Sequence, residues 1–222
     1  MDKATRLKLL AKIIMDCRAC ALYQNRPKMV FGDGNPDAPV MLVGEAPGRE
    51  ERAVGTPFVG RCGRLLRDML TAIGLDPVED CYIANVVKDW PTNNRKPSPD
   101  EIGPCVKFLY KQVEIIRPKL LVLMGRTAVE GILPAQAKVP LDVLRDKTKT
   151  LGMLAYGDIP VLVTYHPSAL LRDPSRKRGA ADDFRFLQSR ITYLYPERND
   201  GSAACHVPSE QLSFPSGIGV PG

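Results

Sequence analysis

Four apolar runs punctuate the chain: "VMLVG" at 40–44, "CYIANVV" at 81–87, "KLLVLMG" at 119–125 and "VLVTY" at 161–165. They are continuous rather than alternating, the pattern of parallel strands covered on both faces. Between them the period changes to that of helices. "GRLLRDMLTAIGL" forms one that ends at Gly74, and Ser98-Pro99-Asp100-Glu101 opens a second that Pro118 stops after Arg117. A third starts at Arg126. Ahead of the first strand, Leu7, Leu10, Ile13 and Ile14 share one face of a helix over about residues 3 to 16, and a last helix is expected over about 179 to 194. Strands and helices therefore alternate. The order predicts an α/β chain: a three-layer α/β/α sandwich around a central, mainly parallel four-stranded sheet, in one domain over 1–195. From Pro196 onward "PERNDGSAACHVPSEQLSFPSGIGVPG" has no period and is rich in Pro, Gly and Ser, so 196–222 is expected to be a disordered tail.

Composition narrows the function classes. The chain has 222 residues, 44% of them hydrophobic, enough for one sizeable core. It has no run of about 18 apolar residues, so no transmembrane helix is expected. "MDKATRLKLLAKIIMDC" lacks the apolar block and small-residue cleavage site of a signal peptide, which points to the cytoplasm. A net charge of +6 favours an anionic partner, nucleic acid before others. Six cysteines in such a chain read as metal ligands or buried thiols before disulfides. In "DCRAC", Cys17 and Cys20 have the spacing of two thiolates on one metal centre, or of a redox pair.

Ligands of open parallel sheets bind beyond the carboxyl ends of the strands. Here that selects the segments after Gly44, around Asn85, after Gly125 and after Tyr165. The first continues as "GEAPGREERAVGTPFVGR", which matches neither a dinucleotide fingerprint nor a P-loop. Glu45 at the strand tip could orient a water. Phe58, flanked by Gly55, Pro57 and Gly60, either caps the core or offers a stacking platform to a planar ligand. Asn85 interrupts its strand; it is a satisfied structural amide or a reader of a donor–acceptor edge such as that of uracil. His166 stands in "YHPSALLRDPSRKRG", followed by two leucines and a basic cluster of Arg172, Arg176, Lys177 and Arg178. A histidine there is structural or catalytic, and apolar side chains beside phosphate-binding arginines are a way to wedge open a base stack.

Taken in order, "VFGDGNPDAPVMLVGEAPG", "GTPFVGRCGRLL", "YIANVVK", "NRKPSPDEIGPC" and "TYHPSALLR" resemble the uracil-DNA glycosylase superfamily, and within it the iron–sulfur family 4. The resemblance runs from Cys17 to about Gln188. It implies an α/β/α fold and hydrolysis of the bond between uracil and deoxyribose in DNA, single- or double-stranded, by a chain expected to be monomeric. By this resemblance Phe58 stacks on the flipped uracil, Asn85 reads its edge, His166 donates to O2 and Glu45 lies beside the sugar and the attacking water. Ala46 falls where other uracil glycosylases place an aspartate, leaving only its main-chain N–H. Leu170, Leu171 and Arg172 match the loop that enters the duplex.

The resemblance also implies a [4Fe–4S] cluster. Cys17, Cys20 and Cys105 match three of its ligand positions, and Asp89 stands at the fourth. Three readings follow: Asp89 ligates iron, another cysteine such as Cys81 substitutes, or the cluster is labile or absent. The sequence favours Cys17, Cys20, Asp89 and Cys105 as ligands, with Cys62 and Cys205 as bystanders. Two rival functions are a superfamily member that bonds covalently to the abasic site and a non-catalytic iron–sulfur DNA-binding module. "KDWPTNNRKPSPDE" holds no histidine for the former. In the tail, "EQLSF" loosely approaches the peptides that dock on sliding clamps.

Overall fold

The computed structural model describes residues 1–151 and 154–194. The tail, with Cys205 and "EQLSF", lies outside the described residues. Six strands form one sheet: β1 (Asp33–Gly34), β2 (Val40–Gly44), β3 (Cys81–Asn85), β4 (Leu120–Met124), β5 (Ala155–Tyr156) and β6 (Ile159–Thr164). Their spatial order is β1-β3-β2-β4-β6-β5. The four long strands are mutually parallel, as the continuous apolar runs predict. The expected count of four is corrected to six, because two-residue strands pair antiparallel at each edge. Segments that short carry no readable period.

The strand period sorts side chains to two faces. Met41, Val43, Ala84, Leu121 and Leu123 pack on one side, with Leu7 from α1 (Lys3–Met15) and Leu109, Val113 and Ile116 from the long helix Pro99–Ile116. Val40, Leu42, Ile83 and Val122 pack on the other, with Leu66 and Leu70 from the helix Arg61–Thr71 and Phe184 and Leu187 from the helix Lys177–Leu194. In chain order the helices after α1 are α2 (Arg49–Val54), α3 (Arg61–Thr71), α4 (Pro99–Ile116), α5 (Arg126–Ile132), α6 (Leu141–Leu151), α7 (Pro167–Arg172) and α8 (Lys177–Leu194). This is the three-layer α/β/α sandwich.

Local chemistry sets the ends of α4. The Glu101 carboxylate accepts the Ser98 N–H at 2.8 Å at its start, and Arg117 turns left-handed at φ 46° just before Pro118. Helix α6 is absent from the hydrophobic pattern for a physical reason. Arg145 and Thr148 on its inner face are buried but polar. The Arg145 fork donates to Asp183 at 2.7 and 3.0 Å, and Thr148 Oγ1 accepts the Val163 N–H at 3.2 Å. Hydrogen bonds replace the apolar stripe.

Candidate active site

The parallel register brings four strand ends to one edge. Gly44 stands opposite Asn85, and the ladder continues as Val86 and Val87 donate to the carbonyls of Gly44 and Glu45, each at 3.0 Å. Next to them, the Gly125 N–H donates to the Thr164 carbonyl at 2.9 Å. His166 follows two residues later. Gly44 is needed for close approach: a Cβ there would lie 2.4 Å from Asn85 Oδ1 and 2.8 Å from the Phe58 ring. The Phe58 ring lies 5.7 Å from that of His166, centroid to centroid. The structure thus brings Glu45, Phe58, Asn85 and His166 around one spot.

Phe58 is placed by its loop rather than by a strand or helix. Its φ of 54° is left-handed, a conformation that costs a side chain on the order of 1 kcal/mol or more and needs support. Glu51 provides it: its Oε1 accepts the Val59 N–H at 3.1 Å and the Gly60 N–H at 2.9 Å. Gly63 allows the packing, since a Cβ there would meet the Phe58 carbonyl at 1.6 Å. Glu51 is therefore committed to the loop, and Glu50 is exposed. Glu45 is the carboxylate that remains at the strand tips, and the buried Thr127 hydroxyl donates to its Oε2 at 2.5 Å. Thr127 was not signalled by the sequence, because an orienting residue follows no motif of its own; Glu51, like Glu50, reads in the sequence as a rival carboxylate to Glu45.

His166 presents one defined nitrogen. Its Nδ1 accepts the Ser168 N–H at 3.2 Å, with the Ser168 hydroxyl also 2.9 Å away. The neutral ring then carries its proton on Nε2. Burial, with the Arg172 charge adding, pushes the imidazole down to about 4, so it is neutral at physiological pH. His166 Nε2 and Asn85 Oδ1 are both shielded from solvent, and neither has a hydrogen-bond partner. A buried donor and a buried acceptor left open at one place are costly unless a ligand completes them.

The duplex-entering loop needs a correction. Leu170 and Leu171 were expected to wedge together, but Leu170 is fully buried in the core with Phe184 and Leu187. Both lie on α7, where neighbours point about 100° apart, so one turned inward leaves only the other outward. Leu171 is half-buried, and Arg172, Arg176 and Arg178 are exposed.

Across the sheet from the Phe58 loop, Cys17, Cys20, Asp89 and Cys105 line one cleft together with Arg26 and Lys88. Among the described residues no three His, Cys, Asp or Glu side chains gather as around a single metal ion. A cluster spans a wider site than a single ion, and three thiols line this cleft. Lys88 is buried, its Nζ donating to the Asn85 carbonyl at 2.8 Å and to Gln112 Oε1 at 2.5 Å. Both acceptors are neutral. Burial pushes this ammonium down to about 7, while the Cys105 thiol, which accepts the Lys88 N–H at 3.2 Å, pulls the other way. The Lys88 group that meets the Cys105 sulfur is its main-chain N–H, a contact that suits a thiol or a thiolate. Burial above all, with Asp89 and Cys20 adding and Lys88 opposing, pushes the free Cys105 thiol up to about 11.

Asp89 in the same cleft is engaged in an ion pair. The Arg26 fork takes both carboxylate oxygens, Nε to Oδ1 at 2.6 Å and a terminal nitrogen to Oδ2 at 2.5 Å. Asp89 was expected to ligate iron; in this fold its carboxylate is paired with the Arg26 guanidinium. Cys81 begins β3, buried at the opposite end of the sheet, and Cys62 sits on α3.

A family model, "Uracil DNA glycosylase superfamily", matches residues 31–187. The chain belongs to that superfamily. Over 187 residues it is 41% identical to a type-4 uracil-DNA glycosylase of Thermotoga maritima, covering 83% of this chain and 94% of the relative. A type-4 enzyme of Archaeoglobus fulgidus is 40% identical over 79% of this chain and 88% of its own length, and one of Sulfurisphaera tokodaii is 37% identical over 85% and 84%. The matched span includes Glu45, Phe58, Asn85 and His166. Cys17 and Cys20 precede it. Among the described residues no helix is long and apolar enough to cross a membrane.

Proposed function

We propose that this superfamily member removes uracil from DNA as a monofunctional glycosylase. It hydrolyses the bond between uracil N1 and deoxyribose C1′, leaving an abasic site in an unbroken strand. The observation that carries the reading is the pair of open groups, His166 Nε2–H and Asn85 Oδ1. One donor and one acceptor match uracil, which offers carbonyl oxygens and an N3–H. Cytosine has an unprotonated N3 and would leave Asn85 Oδ1 facing a lone pair.

The chemistry follows from those groups. Uracil leaves with the electron pair of the broken N1–C1′ bond, and the charge spreads onto O2. Neutral His166 donates Nε2–H to that oxygen without surrendering the proton, an oxyanion-type contact worth roughly 3 to 4 kcal/mol in a dry site. Asn85 holds N3–H, Phe58 stacks on the ring, and the Ala46 main chain borders the sugar. Glu45, steadied by Thr127, orients the water whose oxygen bonds to C1′; one water proton ends on the released uracil. Leu171 and Arg172, at the end of α7, support base extrusion from either single- or double-stranded DNA, which costs a few kcal/mol. Leu170 serves as their anchor in the core.

The chain also carries, in this reading, an iron–sulfur cluster bound through Cys17, Cys20 and Cys105. Its contribution is structural: it ties the end of α1 to the segment between β3 and α4, away from the uracil. The protein acts inside the cell as a monomer.

Incubation with a uracil-containing oligonucleotide, followed by alkali, tests the activity. Strand cleavage that depends on both uracil and alkali is the expected result. A product trapped by borohydride would mark a lyase instead, and a DNA adduct stable to denaturation would mark the covalent rival. Intact DNA would leave a binding module.

A further inference from the structure

We infer that Asp89 is withheld from iron by Arg26, so that the cluster of this chain has three protein thiolates and one iron open to an outside ligand. The inference rests on the reading that a cluster is present. Arg26 makes four hydrogen bonds at once. Two go to Asp89, and the others to the carbonyls of Met15 at 2.7 Å and Cys17 at 2.8 Å. Both charged side chains are largely enclosed, 13% and 6% exposed. Moving Asp89 onto iron would strip a partly buried guanidinium of its anion, and breaking one side of such a pair is strongly unfavourable. A fork on two oxygens also leaves the carboxylate in the geometry that arginine prefers.

The pair does the mechanical work of a fourth thiolate. Arg26 holds the carbonyls that close α1 and open the Cys17 turn, while Asp89 belongs to the segment after β3. The ion pair therefore bridges the two segments that a fourth cysteine would bridge through iron. Its two charges cancel, so the pair adds no net charge beside the cysteines. No described cysteine replaces Asp89, since Cys81 and Cys62 stand elsewhere in the fold. Cys17 and Cys20 are half-exposed, so a small molecule has a route to the cluster. A compact thiolate is the outside ligand that its soft iron would prefer.

The experiment uses the full chain, anaerobically reconstituted with isotopically enriched iron and sulfide, and read by Mössbauer spectroscopy. Three irons should share one environment and a fourth should be distinct. Titration with 2-mercaptoethanol should shift the distinct iron alone. Asp89→Cys should make the four alike and indifferent to the thiol. Asp89→Asn, where it folds, should leave the distinct iron of the thiol-free protein unchanged. The inference is overturned if the distinct iron ignores the thiol, if Asp89→Asn changes its spectrum, or if Cys205→Ser creates the open site. A chain that takes up no iron overturns the cluster reading itself, and uracil excision measured on the same samples reports separately on the glycosylase.

Discussion

The Ser168 N–H points at His166 Nδ1 across 3.2 Å, and that contact decides which face of the imidazole is the donor. Protonating Nδ1 would turn an acceptor into a second donor facing an N–H. The geometry and the burial of the ring therefore act in the same direction, toward a neutral side chain.

This has a pH consequence. The unfolded histidine takes up a proton near 6.5, but the folded one resists until about 4. Between those values the unfolded state binds more protons, so the stability that neutral His166 contributes is complete above about 6.5 and is lost as pH falls toward about 4. The single-turnover rate at saturating DNA should keep its neutral-pH value through 6 and show its acid limb near 4. Arg172→Gln should move that limb upward slightly, since its charge assists the depression. A limb at the ordinary histidine value would contradict the assignment.

His166→Ala and Asn85→Ala should each lower the single-turnover rate by roughly 100-fold or more, as removal of a transition-state donor or edge contact does. Affinity for uracil-free DNA should change much less than the rate. Gel-shift and rapid-quench measurements on the same preparations separate the two. Lost affinity with near-normal cleavage would reverse the roles.

Thr127→Val keeps the shape of the side chain and removes the hydroxyl that holds Glu45. The expected result is a fall in rate of about tenfold with little change in DNA binding, as for loss of one hydrogen bond to a charged group. Combined with Glu45→Gln, the second substitution should add little to the first, because both act through one carboxylate. Fully multiplicative losses would show that Thr127 acts elsewhere.

Gly44→Ala tests the close packing at the strand end. The new methyl would meet Asn85 Oδ1 and Phe58 at 2.4 and 2.8 Å, so one or both must move. Thermal unfolding should shift by a few degrees at most if the displaced groups swing toward solvent, while uracil excision should fall by about 100-fold or more. Retained activity would mean that Asn85 and Phe58 do not need their present positions.

The sheet and the site were legible in the sequence to different depths. Continuous apolar runs gave β2, β3, β4 and β6 because burial on both faces leaves a direct trace in composition. Helix α6 left none, since Arg145 and Thr148 are buried by hydrogen bonding to Asp183 and Val163. Glu45, Asn85 and His166 drew notice as polar residues at strand ends, and Phe58 as an aromatic in a Gly- and Pro-rich loop. Their supports did not: Ser168, Thr127 and Glu51 are ordinary polar residues whose meaning depends on a distance. Leu170 was misread, and the Arg26 pairing of Asp89 missed, for a related reason. Adjacent leucines cannot be assigned to inside or outside without the axis of α7, and nothing near Asp89 in the chain announces Arg26, which lies 63 positions away.

The pairing of Gly44 with Asn85 has a further implication for how such a protein comes to work. A slip of one residue between β2 and β3 would exchange the side chains facing the two helical layers, spoiling the packing on both faces, and would part Gly44 from Asn85. The same alignment brings the bare strand end beneath the reading amide. The geometry of the strand end is thus inherited from strand pairing rather than assembled afterwards: a molecule that has closed its core has already set Asn85 against Gly44, and a misaligned one loses packing and site together.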